Sequence, residues 1–151
     1  MNIPPVPGSY LIIGRLDNDI QLRSGPFSGF ELTQGHYGYS GSACGPGGLF
    51  SRISRHQNPN TKRFWHFDHL KASLHFEEIL FSTRSDGQEC KVIKEIQKME
   101  EVIFPIKRFG AADCREKCPA HLFHFPLLYD IGSVFQHLFD LGFELESLTL
   151  G

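Results

Sequence analysis

The order of apolar and polar positions along the chain predicts an α+β fold, a small antiparallel β-sheet flanked by helices. The apolar run at residues 8–13 is rich in β-forming side chains and predicts a core strand. Residues 20–23 and 29–33 flank a turn that contains Gly and Pro, and they predict an extra hairpin. A strand over residues 36–41 then completes an antiparallel meander in the first third of the chain.

The apolar spacing becomes helical after a glycine-rich turn. Leu49 and Ile53 form an i,i+4 apolar pair, and Arg52 and His56 form a second pair beside it. This spacing predicts a helix over residues 48–57, which the following Asn-Pro-Asn sequence ends. Further along, the pattern predicts a strand at residues 75–84 and a helix at 86–99 that is capped by Asp86. It then predicts a short extended segment at 104–109, a loop at 110–119 and a last short strand at 121–125.

The C-terminal part of the chain carries a further helical pattern. Val134, Leu138, Leu141 and Leu145 recur at spacings of four, three and four, which predicts an amphipathic helix over residues 133–148. Such a helix either packs on the core or presents a surface to a partner protein or to a second copy of the chain.

Size and composition predict a single domain over residues 1–151, with a core at about 8–125 and a helical extension at about 130–151. The 151 residues are 40% hydrophobic and 21% charged, and 14 phenylalanines supply bulky core material. No apolar run approaches the ~20 residues that span a bilayer, so no membrane partner is expected. The N-terminus lacks the features of a signal peptide, which predicts a cytoplasmic location and reduced cysteines.

The net charge of −2 gives no general attraction toward nucleic acid. One segment differs from the rest of the chain, because Arg52, Arg55, Lys62 and Arg63 occur within twelve residues that contain no acidic side chain. These cations form either a local nucleic-acid contact surface, with Arg55, Lys62 and Arg63 as the candidate contacts, or an ordinary solvated helix and loop.

A second group of residues has the chemistry of zinc ligands. Cys114, Cys118, His121 and His124 follow one another closely, although their spacing is not that of a standard zinc finger. The two histidines would point to opposite faces of a single strand, and three of the four residues together with Cys90 can close a site. We expect structural packing here, with a structural zinc held by Cys114, Cys118 and His121 as the alternative.

Glu89 is an unusual residue in the predicted helix that follows Asp86. It lies at the end of the apolar stripe formed by Val92, Ile93 and Ile96, whereas other charged residues of this helix can face water. A carboxylate at this position is either a first-turn residue favoured by the helix dipole or a functional acid.

These residues, in this order, resemble the motifs of the GIY-YIG nuclease superfamily. Gly8-Ser9-Tyr10 corresponds to the first triplet, Tyr39-Ser40-Gly41 to the second, Arg52 and His56 to the helix that follows, and Glu89 to the start of a later helix. The resemblance covers about residues 8–125. Serines at positions 9 and 40 replace the usual isoleucines, which we interpret as a change in packing.

Additional patterns are similar to those of an uncharacterised stand-alone group within that superfamily. They include Trp65-His66-Phe67-Asp68, Glu89-Cys90 and the segment from Phe109 to Cys114. Some members of the group are fused to endonuclease III-like repair glycosylases. The resemblance therefore implies a role in DNA repair, processing or defence, with duplex or branched DNA as the partner.

The resemblance also implies a DNA endonuclease that uses one divalent cation, Mg²⁺ or Mn²⁺. In that family Glu89 would hold the cation, Arg52 would contact the phosphate, and Tyr39 would act as general base or position water, with Tyr10 and His56 assisting. We expect these five residues to converge on one concave face. A Glu89 on the opposite side of the sheet from Tyr39 would end the nuclease hypothesis.

Two alternatives use the same scaffold without efficient cleavage. One is a catalytically weak nucleic-acid-binding or regulatory domain, which the acidic pI favours. The other is a metal-stabilised interaction module that uses the cysteine–histidine loop and the C-terminal helix. The presence of all five catalytic-type residues favours the nuclease.

Overall fold

The computed structural model describes residues 3–23, 25–58, 66–84, 88–111 and 114–149. Within these ranges five strands form one antiparallel sheet, two short strands form a separate hairpin, and three helices flank the main sheet. The elements are β1 (Gly8–Leu16), β2 (Ile20–Gln21), β3 (Glu31–Leu32), β4 (Gly35–Ala43), α1 (Gly48–Gln57), β5 (His75–Ser82), α2 (Gln88–Gln97), β6 (Leu122–Phe125), α3 (Ile131–Asp140) and β7 (Glu146–Thr149). The predicted α+β class and the extra hairpin are confirmed.

Strand β1 is the centre of the sheet, whose strand order is β6-β4-β1-β5-β7. It pairs over its full length with β4, from Gly8 opposite Ala43 to Leu16 opposite Gly35, and its other edge pairs with β5. Eight of its nine residues are buried, as expected for a strand that is covered on both faces. The apolar run in the sequence therefore marks the central strand.

The sheet separates two apolar layers. Tyr10 and Ile12 of β1 belong to the layer that contains Leu49 and Ile53 of α1. The alternate residues of β1 belong to the opposite layer, which α2 and α3 cover; its members include Leu11, Ile13, Val92, Ile93, Ile96, Val134 and Leu138. Since successive side chains of a strand point to opposite faces, β1 supplies both layers.

Predictions of the local structure have mixed outcomes. Helix α1 has the predicted bounds, and α2 lies inside its predicted range, whereas the Asp86 cap lies outside the described residues. The predicted extended segment at 104–109 is wrong, because that stretch forms turns, and Ile103 beside it makes only an isolated bridge with His124. None of the described helices is long and apolar enough to cross a bilayer.

The predicted C-terminal helix is correct only in its first half. Helix α3 ends at Asp140, and Gly142 adopts a left-handed φ of 89°, a conformation that ends many helices. The chain then returns to the sheet, where β7 pairs antiparallel with β5. Local apolar spacing does not reveal that the edge of β5 offers backbone hydrogen bonds to this segment, so the strand was missed.

Candidate active site and metal-ligand cluster

A cavity of about 580 Å³ lies along the free part of β4. Strand β6 pairs with β4 only from His36 to Tyr39, and the last described bond on this edge runs from the Ser40 N–H to the His121 carbonyl, at 2.9 Å. Residues of β1, α1, α2 and the loop before β6 surround the remaining edge. The cavity lining includes Tyr10, Tyr39, Gly41, Arg52, Glu89, Lys91, Gly110 and Arg115.

Four of the five predicted catalytic residues line this one cavity: Tyr10, Tyr39, Arg52 and Glu89. The fifth, His56, is buried behind it, and its Nε2 is hydrogen-bonded to the Tyr10 hydroxyl at 2.7 Å. Neighbouring Gly41 makes room for this arrangement, because a Cβ atom there would lie 2.4 Å from the Tyr10 hydroxyl oxygen. The glycine of the second triplet therefore has a steric role.

These four residues converge on one cavity, but they do not share one face of the sheet. Tyr10 and Tyr39 belong to the layer of α1, whereas Glu89 is carried by α2 on the opposite side of the sheet. The residues still line a common cavity because the cavity follows the open edge of β4, which side chains can reach from both faces. This placement of Glu89 meets the criterion that was set against the nuclease hypothesis. That criterion assumed a site on a sheet face, whereas the cavity lies at a sheet edge, so the nuclease hypothesis now depends on the shared cavity and not on a shared face.

Two serines hold Glu89 in place. Ser9 Oγ donates a hydrogen bond to Glu89 Oε2 at 2.9 Å, and Ser40 Oγ donates to the Glu89 backbone carbonyl at 2.8 Å. Both serines are buried. Their interpretation as a change in packing was therefore incomplete, because they position the acid. The signal in the sequence was the replacement of an apolar residue by serine at both motif positions.

Burial keeps the two tyrosine hydroxyls neutral. It raises the pKa of Tyr39 to about 12, although the nearby Arg52 charge acts in the opposite direction. Burial also raises the pKa of Tyr10 far above its ordinary value of 10.0, and the neighbouring Tyr39 adds to this effect. A phenolate base is therefore not favoured in this environment, whereas a neutral hydroxyl that orients water is compatible with it.

Burial also lowers the pKa of His56 from 6.5 to about 3, and the neighbouring Arg52, Lys71 and Arg55 charges act in the same direction, while Asp68 opposes them. The imidazole is therefore neutral at physiological pH. A neutral ring can either accept the Tyr10 proton or donate to the Tyr10 oxygen, which fixes the position of that hydroxyl.

This burial predicts a loss of stability in acid. Because the unfolded chain protonates His56 near pH 6.5 and the folded chain does not, the free energy of unfolding should fall as the pH drops from about 6.5 toward 3, by at most about 1.4 kcal/mol per pH unit from this residue. Urea denaturation at several pH values measures the slope. His56→Gln should have a shallower slope than the parent, and equal slopes would contradict the prediction.

The charged residues around the cavity leave a positive excess. Four cations (Arg52, Lys91, Lys94 and Arg115) and two carboxylates (Glu89 and Glu116) line it, so the difference is two positive charges. Lys94 is paired with Glu116 at 3.1 Å. A locally positive cavity in a chain with a net charge of −2 favours an anionic ligand.

The predicted nucleic-acid contacts need revision. Lys62 and Arg63 lie outside the described residues, and Arg55 donates to the fully buried Asp68 carboxylate at 2.9 Å. That carboxylate also contacts Lys71 Nζ at 3.2 Å. The role of Arg55 in the fold is therefore structural. Lys91 and Arg115, which were not among the predicted contacts, are exposed cations in the lining of the cavity.

Three cysteines and a histidine form a cluster beside Glu89. The ligand atoms of Cys90, Cys114, Cys118 and His121 all lie within 4.8 Å of one another, so the cluster can hold a metal ion such as zinc. Cys90 Sγ is 3.6 Å from Cys114 Sγ and 3.8 Å from His121 Nε2. Cys90 is thus the fourth ligand beside the three that were proposed from the sequence. These residues can therefore bind a metal ion as well as pack in the core.

The two histidines of this region separate as predicted. His121 faces the cysteines, whereas His124 Nε2 is hydrogen-bonded to the Gln34 carbonyl at 2.9 Å on the other side of the strand. The ring of His124 also packs edge-on against Tyr37. His124 is therefore a core residue and not a fifth ligand.

Arg108 organises the cysteine loop, which is the loop that carries Cys114 and Cys118. Its guanidinium donates to the carbonyls of Cys118, at 2.9 Å, and of Cys114, at 3.3 Å. Within the loop, burial opposes ionisation of the Cys114 thiol, but backbone N–H groups of Cys118 and Glu116 overcome this and lower its pKa. Donors arranged in this way stabilise a thiolate, the form that binds metal.

Neither a search of curated proteins nor a search of solved structures finds a match to this chain. One protein-family model does match, and its description is "Domain of unknown function DUF123". The match extends over residues 9–141, so it includes the cavity, the two serines and the Cys₃His cluster. The chain therefore belongs to the DUF123 family.

Proposed function

We propose that this protein is a divalent-metal-dependent endonuclease that hydrolyses phosphodiester bonds in DNA. The observation that carries the proposal is the presence of a carboxylate, a guanidinium and two tyrosine hydroxyls, from Glu89, Arg52, Tyr10 and Tyr39, in one cavity with a positive excess. The resemblance of the same residues to GIY-YIG motifs supports it. A reducing cytoplasm and a role in DNA repair, processing or defence are parts of this proposal.

Glu89 is the proposed ligand of Mg²⁺ or Mn²⁺. Both ions prefer hard oxygen ligands, and Mg²⁺ is usually bound by one or two carboxylates together with waters. Glu89 supplies one carboxylate, held by the Ser9 hydroxyl. When bound there, the cation would polarise the phosphate and neutralise charge on the leaving oxygen.

The other residues would act directly on the substrate. Arg52 would donate hydrogen bonds to the phosphate as negative charge increases in the transition state. The neutral Tyr39 hydroxyl would orient the attacking water. Tyr10, whose hydroxyl is bonded to the neutral His56, would fix the position of the neighbouring groups.

The second metal in the proposal is Zn²⁺, bound by Cys90, Cys114, Cys118 and His121. Soft thiolate ligands with one imidazole select zinc over magnesium, and four protein ligands form a closed, structural site. The two metals would therefore differ in chemistry and in function.

The proposed substrate contacts predict a defined effect on binding. Lys91→Ala and Arg115→Ala should each weaken DNA binding and reduce the slope of log K against log salt by about 0.9, because each substitution removes one phosphate contact. Fluorescence anisotropy at several salt concentrations measures both quantities. Lys98→Ala is the matched control, since Lys98 directly follows α2 and lies outside the cavity, and its slope should remain that of the parent.

A cleavage panel tests the activity itself. Protein is incubated with duplex, single-stranded, flapped and branched DNA in Mg²⁺ or Mn²⁺, and with Zn²⁺ alone as the control for the second metal. Cleavage of at least one substrate that requires Mg²⁺ or Mn²⁺ is expected. DNA binding without cleavage of any substrate would instead support a catalytically weak nucleic-acid-binding domain.

A further inference from the structure

The Cys₃His cluster joins segments that are distant along the chain. Cys90 lies in the first turn of α2, Cys114 and Cys118 lie in the loop that follows α2, and His121 lies directly before β6. A tetrahedral zinc with Zn–S bonds of about 2.3 Å has S–S edges of about 3.8 Å. The distance of 3.6 Å from Cys90 Sγ to Cys114 Sγ agrees with that edge. The distance of 3.8 Å from Cys90 Sγ to His121 Nε2 is close to the corresponding S–N edge of about 3.6 Å, and all four ligand atoms lie within 4.8 Å of one another.

The cluster is connected to the proposed metal-binding acid. Cys90 directly follows Glu89 in the sequence. In addition, Ser40 of β4 bridges the two sites: its N–H donates to the His121 carbonyl at 2.9 Å, and its hydroxyl donates to the Glu89 carbonyl at 2.8 Å. An ion bound to Cys90 and His121 would therefore restrain Glu89 on both sides.

The cluster is connected to Tyr39 as well. Gly110, at the start of the cysteine loop, has a φ of +70° and packs on the Tyr39 ring, where a Cβ atom would lie 2.6 Å from Cε1. The neighbouring Phe109 carbonyl accepts a hydrogen bond from the His121 N–H at 2.7 Å. Anchoring His121 thus fixes the wall of the cavity against Tyr39.

The geometry points to a zinc ion at Cys90, Cys114, Cys118 and His121 that positions Glu89 and Tyr39 for cleavage while taking no part in it. The inference rests on the proposed nuclease function, because that function gives Glu89 and Tyr39 their roles in cleavage. The zinc site itself rests only on the four ligands and their distances. Removal of the ion should disorder the first turn of α2 and the loop over Tyr39, leaving the sheet in place.

The experiment begins with the metal content of protein purified without chelator. Elemental analysis should find one zinc per chain in the parent and in Cys44→Ser, and none in Cys114→Ser. Cys44 is the matched control because it is exposed and lies outside the cluster. When zinc is replaced by Co²⁺, the parent should show thiolate-to-cobalt charge-transfer bands. Cys114→Ser should not show them.

Two further measurements test positioning without relying on activity. Zinc removal should speed hydrogen exchange at residues 88–93 and 108–111, while β1 remains protected. It should also weaken Mn²⁺ binding at Glu89 by about 10–100-fold, the usual cost of losing an outer-shell support. If Cys114→Ser does not fold, the same measurements are made on parent protein stripped of zinc by a chelator and then reloaded.

The outcomes are distinct. Absence of zinc from the parent, or zinc retained by Cys114→Ser, would overturn the metal site. Zinc that leaves without any change in exchange or in Mn²⁺ affinity would overturn the positioning role. A third outcome is that zinc removal speeds exchange and weakens Mn²⁺ binding, but the parent cleaves no DNA. That outcome would establish that zinc supports Glu89 and Tyr39, and it would refute only the nuclease proposal.

Discussion

Glu89→Ala should abolish metal-dependent DNA cleavage while DNA binding stays the same or becomes slightly tighter. Under the proposed function this carboxylate is the protein ligand of the catalytic cation, so its removal eliminates the chemistry. It also removes a negative charge from a cavity that would bind phosphate. Single-turnover cleavage and fluorescence anisotropy measure the two effects separately.

Glu89→Gln is the matched control for this prediction. The amide oxygen can still accept the hydrogen bond that Ser9 donates at 2.9 Å, so local structure is retained while the charge is lost. Cleavage should be lost in both variants, and the alanine variant alone should leave the buried Ser9 hydroxyl without this acceptor, at a cost of about 1–3 kcal/mol.

The competing hypothesis makes Glu89 only a first-turn residue favoured by the helix dipole, worth about 0.3–1 kcal/mol. Under that hypothesis the alanine variant loses a little stability and keeps its cleavage rate. Cleavage by Glu89→Ala at the parent rate would therefore refute the assigned site. Thermal unfolding of each variant verifies that lost activity does not reflect lost folding.

Arg52→Ala should reduce the cleavage rate by roughly 10²–10³-fold, the scale of losing one donor to transition-state charge. Binding should weaken only modestly, because one phosphate contact is lost. The side chain extends from α1 beside the buried Leu49 and Ile53, so its truncation leaves the core of this layer intact. Rapid-quench kinetics at saturating protein isolates the rate from binding.

Arg52→Lys distinguishes charge from geometry at this position. Lysine keeps the positive charge but lacks the planar donor fork of arginine, so binding should be retained while the rate remains well below that of the parent. A lysine variant with the parent rate would show that charge alone is sufficient. An alanine variant with the parent rate would remove Arg52 from the mechanism.

The serines at positions 9 and 40 explain why the site was only partly visible in the sequence. Their hydroxyls bond to Glu89, which lies 80 and 49 residues away along the chain. No local pattern encodes such a contact, so substitution of isoleucine by serine suggested a different packing. The same limit applies to Arg55. It was predicted to contact nucleic acid because its ion pair with the buried Asp68 is not visible in the local sequence.

The sequence by itself determined the elements whose signals are local. The apolar run of β1, the i,i+4 spacing of α1 and the stripe of α2 predicted those elements, because alternation and helical periodicity act over a few residues. The residue types of the cysteine–histidine segment likewise indicated metal-ligand chemistry before any geometry was known.

Only the tertiary structure decided which distant residues meet. Sheet pairing recruited β7 to β5, although its sequence continued a helical pattern, because an open strand edge offers backbone hydrogen bonds that local spacing does not record. Packing of α2 against β4 brought Cys90 to the cysteine loop and Glu89 to the open edge where Tyr39 and Arg52 lie. The reason in each case is physical: these contacts depend on chain segments being adjacent in space, and that adjacency follows from the sheet order.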